Sequence, residues 1–165
     1  MLNFIENLLI RNKVQQVFET TIKSRNMILG ILQNYTLEQL NKIPAGFNNN
    51  LIWNIGHIIV AQQLLVYKLS GLPMMIADEM VDKYKNGSKP EQDATQEELD
   101  KIKILLFDTI NKTTTDYNNG IFKTYNEYTT SIGFNLKNAE EAIVYNMVSD
   151  KQFAVQNIFP LSGRF

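Results

Sequence analysis

The stretch NNNLIWNIGHIIVAQQLLVYKLSG, residues 48–71, decides the fold. Any of its three leading asparagines can accept hydrogen bonds from the free N–H groups of a first helical turn. Gly71 with Pro73 just beyond it is a helix stop. Between these signals, one stripe carries Leu51, Ile55, Ile58, Leu65 and Leu69, and a second carries Trp53, His57, Val60 and Leu64. A helix apolar around so much of its girth packs against neighbours on more than one side, as the interior face of a bundle requires. The single histidine, His57, lies one turn after the single tryptophan, Trp53.

Working outward, Val14, Val17, Phe18, Thr21, Ile22, Arg25, Ile28, Leu29 and Leu32 recur at three- and four-residue steps and predict a first helix over residues 14–33. Thr36 and Gln39 form a capping box opening one further turn, which stops before Pro44. After Gly71 comes a long polar connection over residues 74–93, with one turn of helix around residues 78–84. A third helix opens at a second capping box, Thr95 to Glu98, and closes at Asn118-Asn-Gly120. IFKTYNEYTTSIGF, residues 121–134, is aromatic and β-branched, which suits a short extended pair or an ordered crossing loop. Asn138 caps a fourth helix ending at Pro160. The expected fold is all-α, an up-and-down four-helix bundle over residues 14–159. Residues 1–13 read as an extension or short amphipathic helix, and residues 160–165 as a tail.

The composition narrows the function classes. Sixteen basic against seventeen acidic residues leave a net charge of -1, which argues against a nucleic-acid surface, since that needs a clustered excess of Lys and Arg. With no cysteine, disulfides, thiolate metal sites and cysteine nucleophiles are excluded. The opening MLNFIENLLI lacks a basic leader region and a small-residue cleavage site. No segment approaches the roughly 20 apolar residues of a membrane span. The expectation is a cytoplasmic protein with no membrane partner. Phosphate-cradling and nucleophile-elbow motifs are absent as well.

At WNIGHI, residues 53–58, the chain resembles the DinB-like superfamily, which includes the bacillithiol and mycothiol S-transferases. The resemblance extends over residues 17–155. It takes in LEQLNKIP at residues 37–44, the long connection after Gly71, and AIVYN at residues 142–146. It implies a four-helix bundle, often a homodimer, and a zinc or nickel ion held by three histidines, one on helix two and two spaced i and i+4 on helix four. Residues four apart share a helix face, so two imidazoles there can meet a third from a facing helix.

His57 matches the first ligand, while the other two positions fall on Ser149 and Phe153. A phenyl ring cannot ligate, a hydroxyl is a poor donor for such ions, and one imidazole does not hold zinc or nickel tightly. The triad therefore reads as degenerate, with His57 the surviving candidate ligand and no cofactor expected. The departure continues past Val148, and a start-site or reading-frame difference would account for both atypical ends. The pocket candidates are Trp53, His57, Asn146, Ser149, Asp150 and Phe153. Ser149, Asn146 or a tyrosine is expected to pair with the imidazole N–H, and Asp150 nearby would raise its pKa. Adjacent Ser149 and Asp150 point about 100° apart on a helix, so a Ser–His–Asp triad is not read.

Trp53 reads as core. Tyr125 and Tyr128 read as part of a packed crossing loop or a pocket entrance. The cluster at residues 74–76 reads as a dimer contact or a bundle cover, and the paired acids Glu97-Glu98 and Glu140-Glu141 as capping groups. Two functions follow: a divergent bundle that binds a small molecule or partner subunit without the metal site, or a metal-dependent thiol S-transferase or hydrolase using His57 with non-histidine ligands.

Overall fold

The computed structural model describes residues 2–153, with the backbone alone at residues 2–4, 6, 7 and 149–153. Six helices appear among the described residues: α1 (Leu2–Asn34), α2 (Leu37–Asn41), α3 (Leu51–Gln62), α4 (Asp78–Tyr84), α5 (Gln96–Asn118) and α6 (Ala139–Phe153). Helix α3 continues into a π-helical segment, Gln63–Lys68. The extended pair before the last helix is a two-residue antiparallel hairpin of β1 (Tyr128–Thr129) and β2 (Asn135–Leu136), pairing Tyr128 with Leu136 and Thr129 with Asn135.

The long helices α1, α3, α5 and α6 make the bundle. α1 and α3 are each flanked by α5 and α6. Side-chain pairs give the directions. Phe18 meets the Tyr117 ring while Arg25 reaches Leu106 and Thr109, so α1 and α5 run antiparallel. Gln62 reaches Thr113 and Tyr67 reaches Asp116, so α3 and α5 run parallel. This corrects the up-and-down expectation. The connection between α3 and α5, which carries α4, is long enough to return the chain to the end of the bundle it left.

The helix caps follow the sequence signals. Asn50 Oδ1 accepts from Trp53 N–H at 2.8 Å, Thr36 and Gln39 form the full capping box, and Asn138 Oδ1 accepts from Glu141 N–H. Gly71 ends the π segment's trailing turn at φ +68°, a conformation costly for any residue with a Cβ. Two boundaries differ from expectation. α1 begins at Leu2, because nothing between Asn12 and Val14 breaks a helix, so residues 2–13 continue into the first bundle helix. The exposed side chains of Ile5, Leu8, Leu9 and Ile10 lie on this first stretch. The tail at residues 160–165, like the expected end at Pro160, lies outside the described residues.

The core falls into two apolar clusters. One gathers Ile28, Leu32, Leu51, Ile55, Leu99 and Leu106; the other gathers Val14, Phe18, Val66, Ile110, Ala142 and Ile143. Between them lies a buried polar layer. Arg25, only 1% exposed, donates from Nη1 to the Leu106 carbonyl at 2.6 Å and to Thr109 Oγ1 at 2.9 Å, and from Nη2 to Gln62 Oε1 at 2.7 Å. Gln62 Nε2 passes the chain on to Thr113 Oγ1 at 2.7 Å. Buried polar groups are tolerable when partnered in this way, and such a layer sets the register of three helices at once. Met74 packs against both clusters and Ile76 is buried, so residues 74–76 cover the bundle.

Candidate functional site

The site is built on α3 and its π continuation. A π turn inserts one residue into the helical repeat and shifts the residues after it around the axis. Here Leu69 N–H bonds the Leu64 carbonyl, five residues back, at 3.3 Å. The crossing loop is tied to carbonyls of this segment and of the turn that follows it. Tyr125 Oη donates to the Leu65 carbonyl at 3.0 Å, Asn126 N–H to the Leu69 carbonyl at 2.7 Å, and Thr124 Oγ1 to the Ser70 carbonyl at 3.1 Å. Burial pushes the Tyr125 hydroxyl up to about 12, which keeps it a proton donor.

Between the π segment, the crossing loop and α6 lies a cavity of about 540 Å³. Its floor is aliphatic, formed by Ile58, Ala61, Leu64, Leu65 and Leu69. His57 and Asn146 enter it from facing helices, and Tyr128, Thr130, Ser131 and Tyr145 line the loop side. Lys68 and Lys85, with Asn86, complete the rim.

His57 is held from behind. Its Nδ1 lies 2.8 Å from the Tyr84 backbone carbonyl. A carbonyl can only accept, so Nδ1 carries the proton and Nε2 is the acceptor nitrogen. Burial lowers the imidazole pKa below 6.5, the Tyr84 carbonyl opposing it, so the ring is neutral at physiological pH. The Trp53 indole stacks on the ring with planes 7° apart and centroids 5.1 Å apart. Trp53 Nε1 donates to the Lys83 carbonyl at 3.1 Å and to Ser88 Oγ at 3.0 Å.

α4 and its exit loop thus clamp both rings from one side. α4 is fixed in turn by Glu98 on α5, which accepts from Tyr84 Oη at 2.6 Å and from Lys83 Nζ at 2.7 Å. Burial would raise the Glu98 pKa, but the bonds from Lys83 and Tyr84 outweigh it and hold the carboxyl low. Burial and the Glu98 carboxylate together raise the Tyr84 hydroxyl. Gly56 makes this packing possible, because a Cβ there would sit 2.6–2.8 Å from the Tyr84 ring.

Of the predicted pocket residues, the structure brings His57 and Asn146 to one cavity. Trp53 is core, 5% exposed, and supports the imidazole rather than lining the space. The side chains of Ser149, Asp150 and Phe153 lie outside the described residues. The imidazole Nδ1–H finds an acceptor in the Tyr84 backbone carbonyl, and burial lowers the imidazole pKa; the expected effects of Ser149 and Asp150 fall on side chains outside the described residues. Tyr128 lines the cavity while Tyr125 braces the loop, so both expectations for that segment hold, each for one tyrosine. Glu98 is more than a capping acid. Thr95 Oγ1 accepts from Glu98 N–H at 3.2 Å, but the Glu98 carboxylate turns to α4 instead of closing the box. Glu140 likewise accepts from Tyr117 Oη at 2.7 Å.

Sequence reading placed Arg25 on the core stripe without giving it a role. A cation at an apolar position of a helical repeat was the signal for the buried polar layer. Among the described residues, no group of three or more His, Asp or Glu side chains lies close enough to hold a metal ion. The donors described at the cavity's inner wall, one imidazole and one carboxamide, do not make the three-donor set of a catalytic metal centre. No described helix is long and apolar enough to cross a membrane.

A family model described as the DinB superfamily matches residues 20–148. No curated protein matches the chain. The chain belongs to the DinB superfamily.

Proposed function

We propose that this chain keeps the bundle and cavity of its superfamily as a small-molecule binding site and has lost the three-histidine metal centre. The observation that carries this is the pairing of a formed cavity of about 540 Å³ with a single imidazole on its wall. Small-molecule sites are mostly apolar concavities of roughly 300–1,000 Å³ with a few placed polar groups, and this cavity has that character. Its neutral, backbone-anchored His57 is one of those placed polar groups on the cavity wall.

A neutral probe tests the reading. Nile red is expected to bind saturably with a blue-shifted emission, and Ala61→Trp, which fills the cavity floor, is expected to abolish that signal while leaving the helical circular dichroism unchanged. Equal binding by the variant, or no saturable binding by either protein, would overturn it.

The second reading, a metal-dependent enzyme with His57 and non-histidine ligands, draws on the same Nδ1–carbonyl contact. Metal-ligating imidazoles are commonly oriented by such a bond. Metal content separates the two.

A further inference from the structure

The cavity's charge is one-sided. Among its described lining residues, Lys68 and Lys85 are basic and none is acidic. One carboxylate stands just outside: Asp82, on α4, pairs with Lys85 at 2.6 Å. It lies in the field of Lys68 as well, and the Lys85 bond first, with that field, holds its carboxyl below the usual range. Among the described residues, two cations and one anion leave a single positive charge at this edge of the cavity. The cavity's floor is aliphatic, and Leu64 and Leu65 lie one turn before Lys68 on the same helix face.

Resting on the reading of the cavity as a binding site, we propose that its ligand is an amphipathic monocarboxylate. The carboxylate sits between Lys68 and Lys85, with hydroxyls of Tyr128 and Ser131 within the same rim, and the alkyl tail runs along Leu64, Leu65 and Leu69 toward His57. A single negative charge matches the residual charge of the lysine–aspartate cluster. A dianion would leave one charge unmatched in a largely apolar site. A neutral alcohol with the same tail would gain only the aliphatic contacts.

Calorimetric titration with octanoate and octanol tests this in the full chain, beside Lys68→Gln/Lys85→Gln and Asp82→Asn. Octanoate is expected to bind about fivefold tighter than octanol, the size that a partly exposed ion pair supports. The double lysine variant loses that preference while its octanol affinity is unchanged. Asp82→Asn, by freeing Lys85, tightens octanoate binding alone. Octanol binding as tightly as octanoate, or a preference that survives the double variant, would overturn the ligand class and leave the cavity reading standing. Binding of Nile red with no binding of either octyl probe would do the same. Failure of all three probes would sink the cavity reading itself.

Discussion

Trp53 and His57 lie one helical turn apart with their rings stacked, planes 7° apart and centroids 5.1 Å apart. The stack makes the only tryptophan a reporter on the only histidine. Burial holds the imidazole pKa below 6.5, whereas in the unfolded chain it returns to the ordinary value. The unfolded state therefore binds the proton first as pH falls. Stability rises with pH between the folded and unfolded pKa values and is flat above the latter. Urea denaturation followed by Trp53 fluorescence is expected to show a midpoint that drops as pH falls below about 6.5. In His57→Asn that part of the decline should vanish, leaving only the loss at more acid pH to which Glu98 contributes. A wild-type profile flat from pH 7.5 to 5.5 would be inconsistent with the imidazole being buried and neutral.

Gly56 permits the contact between α3 and α4. In an exposed helix, Gly→Ala stabilises by about 1 kcal/mol. Here the added Cβ meets the Tyr84 ring at 2.6–2.8 Å, and overpacking of that kind costs about 1–3 kcal/mol. Gly56→Ala is therefore expected to lower stability by up to about 2 kcal/mol net and to shift the fluorescence of Trp53, because α4 must move and carries the indole's partners with it. A stabilised Gly56→Ala would mean that α4 sits elsewhere in solution.

The Arg25 layer is a structural commitment. Truncation to alanine leaves the Leu106 carbonyl, Thr109 and Gln62 without their charged donor in the middle of the bundle. The expected loss for Arg25→Ala is about 3–5 kcal/mol, and for Thr109→Val about 1–2 kcal/mol. The two should couple in a double-mutant cycle, because the second removes an acceptor that the first has already abandoned. Additive losses would show that the contact carries no energy.

The crossing loop's anchor is testable at Tyr125. Tyr125→Phe removes the hydroxyl that caps the Leu65 carbonyl in the π segment. The expected cost is about 0.5–1.5 kcal/mol globally. A larger local effect is expected in faster hydrogen exchange of Asn126, whose N–H is held by the Leu69 carbonyl. Since the loop forms one wall of the cavity, Nile red affinity should fall with it. Unchanged exchange at Asn126 would argue that the loop is held elsewhere.

Much of the architecture was legible in the residues. Asn50, Thr36, Thr95 and Asn138 announce helix starts by the chemistry of their side chains, and the all-round apolar stretch from Leu51 to Leu69 announces an interior helix. The direction of the helices was not legible, because a long polar connection between α3 and α5 is compatible with either sense. The π turn was also invisible: QLLVYK carries no breaker, and its register is set by the packing of the helix end against α6 and the loop. His57, singled out by its place beside Trp53, lines the cavity with Asn146. Its partner was not foreseeable, because it is a backbone carbonyl 27 residues away, and no side-chain pattern encodes a main-chain acceptor. Glu98 looked like a cap because its spacing from Thr95 is that of a cap; only the docking of α4 turns its carboxylate toward Tyr84 and Lys83.

The most direct measurement is the divalent metal content of the protein, purified without a histidine tag and determined by elemental analysis beside His57→Ala. A cavity with one imidazole and no converging ligand set among the described residues predicts far less than one equivalent of zinc or nickel in both proteins, each retaining its helical circular dichroism. Near-stoichiometric metal in the wild type that is lost in His57→Ala would contradict it and establish His57 as a ligand of a working metal centre.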